Sequence, residues 1–135
     1  MRKLILVAVI FSGICISLGA QNAYKGLRTN NVQVIDAEQT SEVMLNFDGD
    51  VEVKEWDRPL IKSHLSVQLN KGNEGILNGL MAEGYYDWIS IYDANQLDLV
   101  LKIDSFPVFI NGETPNDQLK LIIYVPTGTK VSQKQ

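Results

Sequence analysis

Apolar residues recur at every second position over much of the chain. Val43, Leu45 and Phe47 alternate with Met44 and Asn46, and the alternation resumes after Asp48–Gly49 at Val51 and Val53. A period of two is typical of β-strands that bury one face and expose the other. Strands are predicted on this basis at 32–35, 43–47, 51–55, 60–69, 86–92, 97–103 and 119–125. Asn, Asp, Gly or Pro residues lie at their boundaries.

The predicted fold class is all-β, mainly antiparallel, as a sandwich or a short β-solenoid cap. Asp48–Gly49 predicts a tight turn that joins strands 43–47 and 51–55 as a hairpin. One short helix is expected near 73–83, where apolar residues have helical spacing and Gly84 stands at the C-cap. The stretch 104–118, which contains two prolines, is expected to be an irregular loop.

The first twenty residues have the three-part layout of a secretory signal peptide. Arg2 and Lys3 precede the apolar run 4–16, and small residues follow up to Ala20. A retained membrane anchor is the alternative, but the apolar run is shorter than the roughly 20 residues that a spanning helix needs. We therefore predict a signal peptide at 1–20 and a single exported β domain at 21–135, with 21–31 flexible and no membrane span after cleavage.

Cysteine content and charge indicate the cellular compartment and the class of partner. Cys15, in the predicted signal peptide, is the only cysteine, so the domain is expected to fold without disulfides. This favours the periplasm or cell surface of a bacterium. The net charge of −4 becomes −6 without Arg2 and Lys3, and the charges are dispersed. Nucleic acid is therefore disfavoured as a partner, because it selects clustered cations.

Residues suited to catalysis or metal binding are scarce. His64 is the only histidine, and it lies at the solvent-facing parity of strand 60–69. One histidine supplies neither a zinc site nor the base of a nucleophilic triad. Asp48, Asp50 and Glu52 have the opening spacing of a calcium loop, but Val53 stands where that loop needs glycine. No metal or cofactor is expected.

Enzyme activity is not expected, although one catalytic alternative stays open. Two carboxylates roughly 5 to 10 Å apart in a cleft suffice for acid-based hydrolysis of glycosides. The sequence offers Asp87, Asp93, Asp98 and Asp104 as candidates without selecting a pair. An acid-based envelope hydrolase is therefore the less favoured alternative.

Aromatic residues give the candidate binding site. Tyr86, Trp88 and Tyr92 share one parity of a predicted strand, and Trp56 follows an earlier one. Together they would form a stacking surface for a glycan, a peptide or a small ligand. The alternative places them in the core, where aromatic side chains contribute large buried areas.

Two motifs carry a family resemblance. The run from Asn46 to Pro59, NFDGDVEVKEWDRP, resembles the Gly-Asp-Val-x-Val stretch followed by Trp-Asp that begins adhesin-like β domains of bacterial envelopes. The run from Ile123 to Val131, IYVPTGTKV, is similar to their strand, Val-Pro, x-Gly, x-x-Val element. These domains are uncharacterised relatives of the auto-transporter adhesin head (GIN) domains.

The resemblance implies an exported, mainly β, non-enzymatic structural or adhesin-like binding module. In that family Gly-rich strands follow the second motif and stack into a solenoid, whereas the present sequence ends at Gln135 without such repeats. A stacked β unit without neighbours has an open sheet edge. Either Lys130 and Lys134 blunt this edge, or an envelope partner adds a strand to it.

Overall fold

Two four-stranded β-sheets pack face to face in the computed structural model, which describes residues 27–134. The predicted signal peptide lies outside the described residues. In chain order the elements are β1 (Leu27–Asp36), β2 (Glu42–Asn46), β3 (Asp50–Trp56), β4 (Leu60–Leu69), α1 (Glu74–Ala82), β5 (Trp88–Asp93), β6 (Gln96–Leu101), α2 (Lys102–Ser105), β7 (Asp117–Pro126) and β8 (Lys130–Lys134). The prediction of a mainly β fold with a helix near 73–83 is confirmed.

The order of strands is β1-β4-β7-β3 in one sheet, called sheet A, and β5-β6-β2-β8 in the other, called sheet B. Both antiparallel and parallel pairs are present. Antiparallel pairs join β1 to β4, β4 to β7 and β5 to β6. Parallel pairs join β2 to β6, β2 to β8 and β3 to β7.

The parallel pairs β2–β8 and β3–β7 follow from two connections that cross between the sheets, the first of them at Asp48–Gly49. The predicted hairpin is wrong: β2 belongs to sheet B and β3 to sheet A, so 47–49 carries the chain across the sandwich. Residues 127–129 carry it back from β7 to β8. Because β7 lies parallel to β3 and β8 parallel to β2, neighbouring strands run as they do in successive coils of a β-solenoid, with the two crossings at opposite ends of the sandwich.

The inward faces of the two sheets form one hydrophobic core. Strands β4, β6 and β7 bury alternate residues almost completely. The largest fully buried side chains are Leu45, Ile61, Leu65, Leu69, Tyr86, Leu97, Leu99, Leu101, Leu121 and Ile123. The alternation visible in the sequence therefore reports which face of each strand is inward.

Helix α1 connects the two sheets and adds Leu77 and Leu80 to the core. Asn73 caps its first turn, because its side chain accepts a hydrogen bond of 2.9 Å from the backbone N–H of Ile76. Gly84 follows the helix with a φ of +74°, the left-handed conformation that glycine adopts without strain. No helix in 27–134 is long and apolar enough to cross a membrane.

Two boundaries and one strand differ from the sequence-based expectation. β8 was not predicted, because its residues do not alternate between buried and exposed. β1 begins at Leu27, so 27–31, expected to be flexible, pair with β4 in register from Leu27 opposite Leu69. The side chains of this stretch alternate between half-buried and exposed, which gives a weak apolar signal. Strand β6 ends at Leu101, and the short helix α2 takes the place of the predicted strand end at 102–103.

Candidate functional site

The four predicted binding aromatics do not form one surface. Tyr86 is fully buried and Trp88 is 6% exposed, so both belong to the core. Tyr92 is 50% exposed at the end of β5, and Trp56 is half-buried on the outward face of sheet A. The surface predicted from these four residues is corrected accordingly, and ligand binding at Trp56 or Tyr92 stays a prediction.

The polar atoms of the buried Tyr86 and Trp88 side chains are both hydrogen-bonded within the core. Trp88 Nε1 donates to Ser63 Oγ at 2.6 Å and its ring packs on Phe47 with centroids 6.0 Å apart. The Tyr86 hydroxyl donates to Asp117 Oδ2 at 2.8 Å. Burial, followed by this hydrogen bond, raises the pKa of Tyr86 well above the usual range.

One side of the sandwich, bounded by edge strands β1 and β5, is closed by side chains. Asn31 Nδ2 donates to the carbonyl of Tyr86 at 2.7 Å, and Gln33 Oε1 accepts from the N–H of Trp88 at 2.9 Å. The Tyr92 hydroxyl donates to the carbonyl of Asp36 at 2.6 Å. We call this the closed side, because these contacts tie the two edge strands together.

The opposite side, bounded by edge strands β3 and β8, is the open side. Val53 is opposite the fully buried Ile123 in register, so its side chain has the inward parity, yet it is 45% exposed. Val51 and Val131 have the same parity and are only half-buried. Among residues 27–134, no strand pairs with the outer edge of β3 or of β8. Inward-facing apolar side chains and unpaired strand edges therefore meet solvent here.

Contacts at the two ends of the open side hold β3 and β8 in place. Gln133 Nε2 donates to the carbonyl of Phe47 at 2.7 Å and to that of Gly49 at 3.1 Å. At the other end, the N–H of Gly128 donates to Glu55 Oε1 at 3.2 Å. The edges are thus fixed at both ends while the stretch around Val53 is left uncovered.

Acidic side chains gather where the chain crosses from β2 to β3. Asp48 and Asp117 line one shallow pocket there, and Asp48 and Asp104 line another. Burial, and then the nearby charges of Asp48 and Asp117, raise the pKa of Asp104. Burial raises the pKa of Asp117, while the hydrogen bond from Tyr86 opposes the shift. Within the described part of the chain, no group of three or more His, Cys, Asp or Glu residues is arranged to hold a metal ion.

The acids considered for hydrolysis are spread over the second sheet and α2. Asp87 precedes β5 and accepts a hydrogen bond from Asn31 at 2.8 Å, whereas Asp93 ends the same strand. Six residues of strand separate their backbones by roughly 20 Å. Asp98 lies on β6 and accepts from Gln96 at 2.8 Å, and Asp104 lies in α2.

The outward face of sheet A carries a group that the sequence analysis did not single out. Tyr124 lies between Lys54 and Lys62 on the neighbouring strands and packs beside Trp56, with ring centroids 5.4 Å apart. The alternation in 119–125 could have indicated this group, because it places Lys120, Ile122 and Tyr124 on the outward face of the strand. His64, as expected, also has this outward parity.

The chain was compared with protein-family models, with curated proteins and with solved structures. No model of a known protein family matches the chain, and no curated protein does. Among solved structures, the chain is similar to a "putative cell adhesion protein" from Clostridium sporogenes, with a TM-score of 0.44 and 10% sequence identity. The match covers 79% of this chain and 46% of the other, so the chain spans about half the length of that structure.

Proposed function

We propose that the protein is an exported, non-enzymatic module of the bacterial cell envelope, with a structural or adhesin-like role. In this proposal it engages a partner protein at the open side, where strands of the partner extend one or both sheets. The observation that carries the proposal is the exposure of Val53, an inward-facing residue of an unpaired edge strand.

The difference between the two sides of the sandwich supports this choice of surface. The closed side uses Asn31, Gln33 and Tyr92 to join its edge strands. On the open side a partner strand beside β3 would form main-chain hydrogen bonds and cover Val53 in one step. The parallel pairs β3–β7 and β2–β8 already have the strand direction that a further coil would continue.

The roles that the structure gives to reactive side chains favour binding over catalysis. Asp117 accepts from the buried Tyr86 hydroxyl, which accounts for its place at the edge of the core. His64 is opposite Val32 and Ile122, so its nearest cross-strand neighbours are apolar. The hydroxyl of Ser66, two residues along on the same face, donates to Asn30 Oδ1 at 3.0 Å.

Photocrosslinking in cells of the source bacterium tests the proposal. A photoreactive amino acid replaces Val53 on the open side in one variant of the full-length protein. In the matched control it replaces Ile91, which is 52% exposed on β5 at the opposite edge. We expect a protein adduct from position 53, recovered with the envelope fraction, and none from position 91.

Three results would contradict the proposal. They are absence of an adduct at position 53, equal yields of the same adduct at both positions, and recovery of the protein in the cytoplasm. A second variant, Val53→Asp, retains the exposed position but places a charge at the edge. It should abolish capture by a photoreactive residue placed at Val51, whereas Ile91→Asp should leave that capture unchanged.

A further inference from the structure

The outward face of sheet A brings an aromatic ring between two cations. Val34, Lys62, Tyr124 and Lys54 lie side by side on the four strands in cross-strand register. Lys54 Nζ is 5.8 Å and Lys62 Nζ 5.7 Å from the centroid of the Tyr124 ring. Both distances are within the range of cation–π attraction.

A second ring and a third cation extend this arrangement. The Trp56 ring is 5.4 Å from that of Tyr124 and inclined to it by 37°. The Arg58 guanidinium is 5.4 Å from the Trp56 centroid. Trp56 Nε1 donates to the carbonyl of Leu60 at 2.7 Å, which fixes the indole on the sheet. We call Lys54, Trp56, Arg58, Lys62 and Tyr124 the basic aromatic cluster.

Charge is distributed unevenly between this face and the rest of the molecule. Five of the nine basic side chains in 27–134 lie on it, namely Arg28, Lys54, Arg58, Lys62 and Lys120. Its four strands direct three of the sixteen carboxylates to it, those of Asp36, Asp50 and Glu52. Lys54 pairs with Glu52 at 3.6 Å, whereas the other four cations form no ion pair within the described residues. On the four strands alone, four cations stand against three carboxylates, and Arg58 of the adjoining turn lies beside Asp57 in sequence. This face therefore carries a small excess of positive charge in an otherwise acidic protein.

A groove of about 660 Å³ lies on the same face, toward the other end of the strands. Its lining includes Arg28, Asn30, Ser66, Gln68, Gln118 and Lys120. Amides and hydroxyls both donate and accept hydrogen bonds, which is what sugar hydroxyls require. From Leu60 to Gln68 the face is roughly 26 Å long, so it has room for several linked sugar units.

We propose that this face binds an acidic polysaccharide, a use of the protein separate from the strand addition on the open side. Sugar rings pack their C–H faces on Tyr124 and Trp56, carboxylates of the chain pair with Lys54, Lys62 and Arg58, and hydroxyls bind in the groove. A peptide is disfavoured as the occupant, because β4 and β7 are interior strands whose backbone groups are already paired.

Titration of the full-length protein with polygalacturonate, with dextran of equal length as the uncharged comparison, tests the proposal. Calorimetry gives the affinity, and Trp56 fluorescence in a Trp88→Phe background reports binding at the cluster. We expect saturable binding of polygalacturonate that weakens with salt. The Lys54→Gln/Lys62→Gln double variant should bind about tenfold more weakly.

The matched control is Lys71→Gln/Lys102→Gln, which removes the same charge elsewhere. Lys102 also lies over an aromatic ring, that of Tyr85, at 4.9 Å. This control should bind polygalacturonate as the parent does. Absence of saturable binding, equal weakening by both double variants, or equal binding of dextran would overturn the proposal. Tighter binding of polyglutamate, duplex DNA or anionic vesicles would overturn the assignment to a glycan.

Discussion

The hydrogen bond from Trp88 Nε1 to Ser63 Oγ joins the two sheets within the core, since Trp88 belongs to sheet B and Ser63 to sheet A. Ser63 is the one buried polar side chain among the described residues, and it occupies an inward position between Ile61 and Leu65. An apolar residue would fit the alternation of β4 equally well, so the serine is explained by the indole N–H that it satisfies.

Replacement of Ser63 by alanine should therefore cost more than its small size suggests. Ser63→Ala leaves the buried N–H without an acceptor, and we expect the free energy of unfolding to fall by about 1–3 kcal/mol. Urea denaturation measures this. In the Trp88→Phe background the same serine replacement should cost clearly less, since the donor is gone. Equal effects in both backgrounds would show that the hydrogen bond does not stabilise the fold.

The carboxyl of Asp104 should make stability depend on pH. Burial, Asp48 and Asp117 raise its pKa in the folded protein, so the folded state holds a proton at pH values where the unfolded chain has lost it. The free energy of unfolding then falls as the pH rises through this raised pKa.

Asp104→Asn removes the unfavourable charge. We expect it to raise the free energy of unfolding at pH 7 by about 0.3–1 kcal/mol, after allowance for solvent screening. The gain should shrink as the pH falls toward the usual aspartate pKa of about 3.9. Urea denaturation at pH 7 and pH 4 checks both statements. A loss of stability at pH 7, or a gain that is independent of pH, would contradict this electrostatic explanation.

At the scale of elements, the crossing between β2 and β3 has the closest packing around a glycine. A Cβ at Gly49 would lie 2.7 Å from the carbonyl oxygen of Leu119 and 2.7 Å from the Phe47 ring. Gly49→Ala should therefore lower the free energy of unfolding by about 1–3 kcal/mol, as overpacking does elsewhere.

Gly79 offers the matched control. It lies within α1, and a Cβ there would meet nothing within 4 Å. Gly79→Ala should raise the free energy of unfolding by about 0.5–1 kcal/mol through helix propensity. Thermal and urea denaturation of both variants test the pair. If Gly49→Ala were neutral, the crossing would not be packed as described.

Seven of the eight strands were predicted from the alternation of apolar and polar residues. β8 (Lys130–Lys134) was not, because its residues do not alternate between buried and exposed. The assignment of the strands to two sheets could not be predicted, because Asp48–Gly49 suits a hairpin and a crossing equally well. Contacts with residues distant in sequence, such as Leu119, decide between the two. The alternation of its strand is likewise compatible with Trp88 facing a core or facing a ligand. Only the packing of sheet A over β5 decides that its ring is buried.

At the scale of the whole molecule, the two sides of the sandwich differ: one is closed and the other is open. Side chains of β1 and β5 join the sheets on one side, while β3 and β8 are free along their outer edges among residues 27–134. The charged outward face of sheet A lies between these two sides. Strand addition would use the backbone edge of β3, whereas glycan binding would use the outward side chains of the same strand, Lys54 and Trp56, together with those of β4 and β7.

Amide hydrogen exchange, measured residue by residue at a concentration where the protein is monomeric, tests this contrast most directly. We expect alternate amides of 50–56, which point away from β7, to exchange nearly as fast as in an unfolded peptide. The amide of Trp88, which donates to Gln33 Oε1, should be protected together with the β1 amides that pair with β4. Protection of every amide in 50–56, or fast exchange at Trp88, would contradict the assignment of the open and closed sides.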